Sequence, residues 1–334
     1  MNFNGSSFYT AYPGSVSLAG VFNNNTTNEF RVAGNTTAIV SGSYNSPNAG
    51  LNVNGVGTLN FSGTTTNLTY LEMNNYSVIN ISGTMVCGVL EAYGGGAIQL
   101  SDGTSAGSAQ FNNVSYAAAG SITGGSAGMS MLIISNTSGI NLGSSFTIGD
   151  GNVNTVDSAN NLNFFKAGSG NLYISNSVTS YTGNTTVSGG VLELAYPTLA
   201  TNATVTVASG AGLKLDFPDT NIVTSLVMNG VGATAGIHNN ASDPSSITGT
   251  GSLLVLTGAA AINPNPTNII VSVSGSTLNL SWPADHLGWY VQSNSVALAN
   301  TIYWFDVPNS QNGTNLSIPI NMSNTNVFFR MRKP

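Results

Sequence analysis

Phe165-Lys166-Ala167-Gly168-Ser169-Gly170-Asn171-Leu172-Tyr173-Ile174-Ser175 is followed by Tyr181-Thr182-Gly183-Asn184-Thr185-Thr186-Val187, and then by Gly190-Val191-Leu192-Glu193-Leu194. The blocks contain short runs in which apolar residues alternate with polar or aromatic ones, the period of a strand with one buried face. Val205-Thr206-Val207 and Leu213-Lys214-Leu215-Asp216-Phe217 continue the series. Leu172, Leu192 and Leu213 recur at intervals of about 20 residues, with Val187 and Val205 between them, and a repeat of that period marks a solenoid. Ala167-Gly168-Ser169-Gly170, Ser188-Gly189-Gly190 and Ala208-Ser209-Gly210-Ala211-Gly212 separate the strands and suit the tight corners of stacked coils.

The same grammar runs towards the N-terminus. Gly55-Val56-Gly57-Thr58-Leu59-Asn60-Phe61 parallels Gly168–Ile174, and Gly88-Val89-Leu90-Glu91 returns as Gly190-Val191-Leu192-Glu193. Helix signals are nearly absent, because Gly, Asn, Ser and Thr interrupt every window. Residues 1–258 are therefore expected to form one parallel β-solenoid, with roughly a dozen coils in a rod on the order of 60 Å long.

Residues 259–266 carry Pro264 and Pro266 and read as a linker, since proline interrupts any strand ladder. In 267–334, Ile269–Val273, Thr277–Trp282, Gly288–Gln292, Ile302–Val307, Leu316–Ile320 and Val327–Met331 follow at a regular beat of about 8–12 residues. That beat predicts a small antiparallel β-sandwich of immunoglobulin or fibronectin III type. All three tryptophans, Trp282, Trp289 and Trp304, lie in it and read as core aromatics.

The three blocks at 165–194 resemble the autotransporter-associated β-strand repeat, whose pattern runs K-x-G-x-G-x-L-x-[LI]-S, then Y-T-G-x-T-T-V, then G-x-L-x-L. The resemblance implies a right-handed parallel β-helix in an exported bacterial surface protein, with Tyr181 and Val187 packed, Gly183 at a turn, and no catalytic residues. Members of that family often end in a transmembrane barrel, which the roughly 70-residue final module does not provide. Leu280-Ser281-Trp282-Pro283, Gly288-Trp289-Tyr290-Val291-Gln292-Ser293 and Val327-Phe328-Phe329-Arg330-Met331 are similar instead to the C-terminal sandwich of repeat-rich exported proteins from Verrucomicrobia and Planctomycetes.

Composition narrows the function classes. Only 5% of residues are charged, with 6 Lys and Arg against 12 Asp and Glu and a net charge of −6, so the polar surface is built from Asn, Thr, Ser and Gly. An uncharged, hydrated surface offers little repulsion between copies, which favours self-association. The nearest approach to a basic run is Arg330, Arg332 and Lys333, too few to track phosphates, so nucleic acid is not an expected partner. No apolar stretch has the length of a transmembrane helix. Met1–Ser6 carries no export signal, which is read as removed or as lying on a longer chain. Cys87 is the only cysteine and reads as a buried small hydrophobe.

Catalysis on a β-helix needs clustered carboxylates. The twelve here are dispersed; Glu72 and Glu91, one coil apart, and Asp216 with Asp219 could pair, but solvated positions are the expected reading. His238 and His286 are read as loop histidines, and Lys214 as an ion-pair partner of Glu193 across coils. Asp150, Asn152 and Asn154 have the spacing of the first half of a calcium loop, but Thr155 and Asn161 stand where Gly and Glu are required. No cofactor and no catalytic residue is assigned. The leading expectation is a non-enzymatic extracellular or cell-surface structural protein, with itself as partner in a head-to-tail or lateral homopolymer. The alternative is an adhesin that binds extracellular polysaccharide through Tyr93, Tyr116 or Trp289.

Overall fold

The computed structural model describes residues 2–3, 8–9, 14–117, 119–125, 128–150, 161–258, 267–283, 286, 289–299, 303–321 and 326–333. Two compact units divide the chain, Met1–Thr257 and Gly258–Pro334. The first is a parallel β-solenoid of about 9 turns, fewer than the expected dozen. Most turns advance about 20–24 residues from one strand to its neighbour in the stack, but Met129–Ser135 pairs with Asn161–Ala167 at an offset of about 32 and Gly212–Leu215 pairs with Ile247–Gly249 at about 34, so two coils consume extra chain.

The longest sheet stacks Val21–Asn24, Ser43–Ser46, Thr64–Met73, Thr84–Ala92, Ser108–Ser115, Met129–Ser135, Asn161–Ala167, Thr185–Val187, Thr204–Val207 and Ser225–Met228, all in parallel. A second runs from Ser15–Leu18 to Ser145–Gly149, and a third from Ile140–Leu142 to Ile247–Gly249. Inward side chains form columns. Ile140, Leu172, Leu192, Leu213 and Ile247 are successive register partners in the third sheet, as are Leu59, Ile79, Ile98, Ile122 and Ile148 in the second. Each is buried, and burying one such side chain is worth about 1.5–3 kcal/mol, so the columns supply the solenoid's cohesion.

Corners are set by close backbone approaches and by hydrogen bonds to the turn carbonyls. A Cβ on Gly183 would stand 2.3 Å from the Leu162 carbonyl oxygen, which is why that turn needs glycine. Tyr181 and Val187 pack at 1% and 0% exposure around it, as the resemblance implied. Lys166 is fully buried. Its Nζ donates to the carbonyls of Ala167 (2.6 Å), Gly168 (3.1 Å) and Gly189 (3.0 Å), so one ammonium closes the corners of two successive coils.

The last coils end differently. Val231–Gly232 turns back antiparallel onto Ser225–Met228, and Gly236–Asn239 lies antiparallel on Ser252–Val255. These strands cover backbone groups that would otherwise template a further coil. His238 sits on one of them, not in a loop, with Nδ1 2.8 Å from Asp243 Oδ2 and Nε2 2.9 Å from the Thr234 carbonyl.

The second unit contains two three-stranded antiparallel sheets, Ile270–Ser274 with Thr277–Ser281 and Asn315–Pro319, and Phe305–Asp306 with Tyr290–Asn294 and Phe328–Arg332. Their facing side chains share a small core of Leu280, Trp282 and Val291, against which Leu278, Ile318, Phe329 and Met331 pack. The linker at 259–266 lies outside the described residues.

Candidate functional site

One face of the N-terminal coils gathers a cluster of the solenoid's ionisable groups. Arg31, Asn52, Glu72 and Glu91 are register partners on adjacent strands, so they stack in a single rank at the strand spacing of about 4.8 Å. Glu29 precedes the rank and reaches into it: its carboxylate accepts from Arg31 Nε at 2.5 Å and from the Tyr70 hydroxyl. Glu72 accepts from Asn52 Nδ2 at 2.5 Å and from Asn74 Nδ2 at 2.7 Å. Glu91 differs, because no hydrogen-bond donor among the described residues serves its carboxylate. Burial, and then the charges of Glu72 and Glu29, hold its carboxyl above the ordinary glutamate range.

Two aromatic rings continue this face. Tyr93 and Tyr116 stack with centroids 4.4 Å apart and planes at 25°. Desolvation, a hydrogen bond to Tyr116 and the charge of Glu91 push the Tyr93 phenol up to about 12. Tyr116 is 60% exposed, and its backbone is left-handed, with φ +56°. An L residue with a bulky side chain pays about 1–2 kcal/mol for that conformation, and such strain concentrates at clamps and binding sites. Here it places the ring on Tyr93.

The face joins two features that the sequence shows separately, the Glu72–Glu91 pair and the Tyr93 and Tyr116 platforms. The structure adds Glu29, Arg31, Asn52, Tyr70 and Asn74. Tyr70 and Glu29 lie 41 residues apart, a contact for which no local pattern exists. The 20-residue register could have exposed the Arg31, Asn52, Glu72 rank, since that period is legible elsewhere in the chain.

The other candidates fare differently. Trp289 is 4% exposed, with its ring centroid 5.1 Å from that of the buried His286, and offers no sugar platform, in keeping with the reading of the tryptophans as buried aromatics. Asp150 Oδ1 accepts the backbone N–H groups of Leu162 and Thr182, each at 2.9 Å, and braces two chain segments; Asn152 and Asn154 lie outside the described residues. Among the described residues no group of three His, Cys, Asp or Glu side chains is placed to hold a metal ion. Asp216 lies 3.5 Å from Lys214, whose closer partner is Glu193 at 2.8 Å. Cys87 is buried, which pushes its thiol up to about 12. No helix among the described residues is long and apolar enough to cross a membrane. The resemblance to the autotransporter-associated repeat rests on the quoted residues and on a solenoid consistent with them, because no family model, no curated protein and no solved structure matches the chain.

Proposed function

We propose that the chain is a non-enzymatic, exported surface protein that binds extracellular polysaccharide through the tyrosine and carboxylate face of its N-terminal coils. The observation that carries this reading is the exposed Tyr93–Tyr116 stack beside a carboxylate with no donor of its own. Stacked phenols present a flat apolar surface to the C–H face of a pyranose, and neighbouring carboxylates accept its hydroxyls. Surface-immobilised glycans probed with the wild-type chain and with Tyr116→Ala test it. Retention of the wild type, weakened about tenfold by the substitution, supports the reading. No retention on any glycan sinks it.

A second reading is self-association into a surface filament or matrix. It is favoured by amide ladders on uncharged strands: Asn45 Nδ2 reaches Asn23 Oδ1 at 3.3 Å, Asn67 Nδ2 reaches Asn45 Oδ1 at 3.1 Å, and Asn80 Nδ2 reaches Asn60 Oδ1 at 2.8 Å. Such repeating amides suit packing against a like face. The antiparallel strands over the last coils weigh against continuation from that end, so lateral contact is the preferred mode. Electron microscopy of the protein purified from its source separates filaments from isolated particles.

A further inference from the structure

On the reading that the Tyr93–Tyr116 face binds glycan, we propose that its ligand carries free amino groups: a hexosamine polymer in which at least some units have lost their acetyl group. The argument concerns which partners this face still lacks. Several of its donors are engaged inside the protein. Arg31 serves Glu29, as does the Tyr70 hydroxyl, while Asn52 and Asn74 serve Glu72. Glu91 keeps its full acceptor capacity, and Glu72 and Glu29 add negative charge beside it, so carboxylates outnumber the single cation Arg31 on this face. A ligand that fits must bring donors and is favoured if it brings positive charge.

The aromatic pair points the same way. A cation within about 6 Å of a phenol face gains cation–π attraction of roughly 0.5–2 kcal/mol, and a carboxylate next to the ring adds a charge-assisted hydrogen bond. An ammonium group on a pyranose uses the ring stack and the carboxylate together. A neutral glycan uses the stack and hydroxyl contacts alone. Uronates and sulfated sugars meet like charge and are rejected. The flat stacked pair also fits the C–H face of a pyranose better than the thin methylene stem of a lysine, which favours an amino sugar over a basic peptide.

The test is isothermal titration calorimetry on the full chain near pH 6 at low salt. The probes are a fully deacetylated glucosamine oligosaccharide, its N-acetylated counterpart, a glucose oligosaccharide of equal length, and polylysine. The deacetylated oligosaccharide should bind about tenfold more tightly than either uncharged one, and the advantage should shrink as salt is raised. Glu91→Gln should remove that tenfold advantage of the deacetylated oligosaccharide over the uncharged ones, whereas Tyr116→Ala should weaken all three sugars. A second measurement needs no variant: an ammonium beside Glu91 draws its carboxyl towards the ionised form. Binding near pH 5 should therefore release protons, read from the change in heat between buffers of different ionisation enthalpy.

Equal affinity for charged and uncharged sugars, with no effect of Glu91→Gln, overturns the amino-sugar inference and leaves glycan binding standing. Absence of binding by all three sugars overturns both. Polylysine binding more tightly than any sugar overturns the inference in favour of a basic polypeptide.

Discussion

Single side chains carry three separable costs in this molecule. Lys166 donates from full burial to three carbonyls, and burial pushes its ammonium down to about 8. Because the folded-state value lies below that of the unfolded chain, the charged form is penalised at low pH. Stability is therefore expected to rise between pH 8 and 10, by up to about 1.4 kcal/mol per unit of difference, before the raised tyrosines reverse the trend. Lys166→Met should cost about 2 kcal/mol at pH 7 and flatten that rise, as read from urea unfolding at each pH. Glu91 has the opposite sign for an acid: its folded value is raised, so stability is greatest below the ordinary glutamate range and is lost as pH climbs through the folded value. Glu91→Gln should therefore raise the melting temperature at pH 7 and leave it unchanged at pH 4. Gly183→Ala, which drives a Cβ onto the Leu162 carbonyl, should cost about 1–3 kcal/mol in the same unfolding assay.

Strands and their ends show how local cost is converted into position. Leu192 lies between Leu172 and Leu213 in a column with no exposure, and neither neighbour can move into the gap it leaves without losing its own register. Leu192→Ala is expected to destabilise the solenoid by about 2–5 kcal/mol in denaturant titrations. Tyr116 ends Ser108–Ser115 in the left-handed region, so its two small replacements differ informatively. Both lose the ring stack, but glycine enters that region without penalty. Tyr116→Gly should be about 1–2 kcal/mol more stable than Tyr116→Ala, while both weaken glycan retention to a similar extent. A null difference between them would remove backbone strain from the account of this site.

The two units have separate cores, one running through the solenoid columns and the other centred on Leu280, Trp282 and Val291. Units with separate cores unfold separately, so calorimetry should resolve two transitions, and Val291→Ala should lower only the one belonging to the smaller unit. With 5% of residues charged, repulsion between molecules is weak, and lateral association should respond little to salt. Sedimentation across concentration and ionic strength checks this. Association that collapses at moderate salt would assign the contact to ion pairs instead of the uncharged faces.

Strand periodicity, the glycine corners and the 20-residue recurrence of Leu172, Leu192 and Leu213 were enough to read a stacked β-solenoid, because each coil repeats one local problem: bury alternate residues, then turn. The strands of the C-terminal unit were legible for the same reason, from Thr277–Ser281 to Phe328–Arg332, each within a few positions of its place in the fold. The candidate site was legible only in pieces. Glu72, Glu91, Tyr93 and Tyr116 stand out as residue types, but their union with Glu29, Arg31, Asn52 and Tyr70 depends on which coil lies over which. That register is settled by the columns inside the solenoid and not by the residues that face outward. Burial of Lys166 was likewise decided by tertiary packing. A lysine reads as solvated until three carbonyls converge on it.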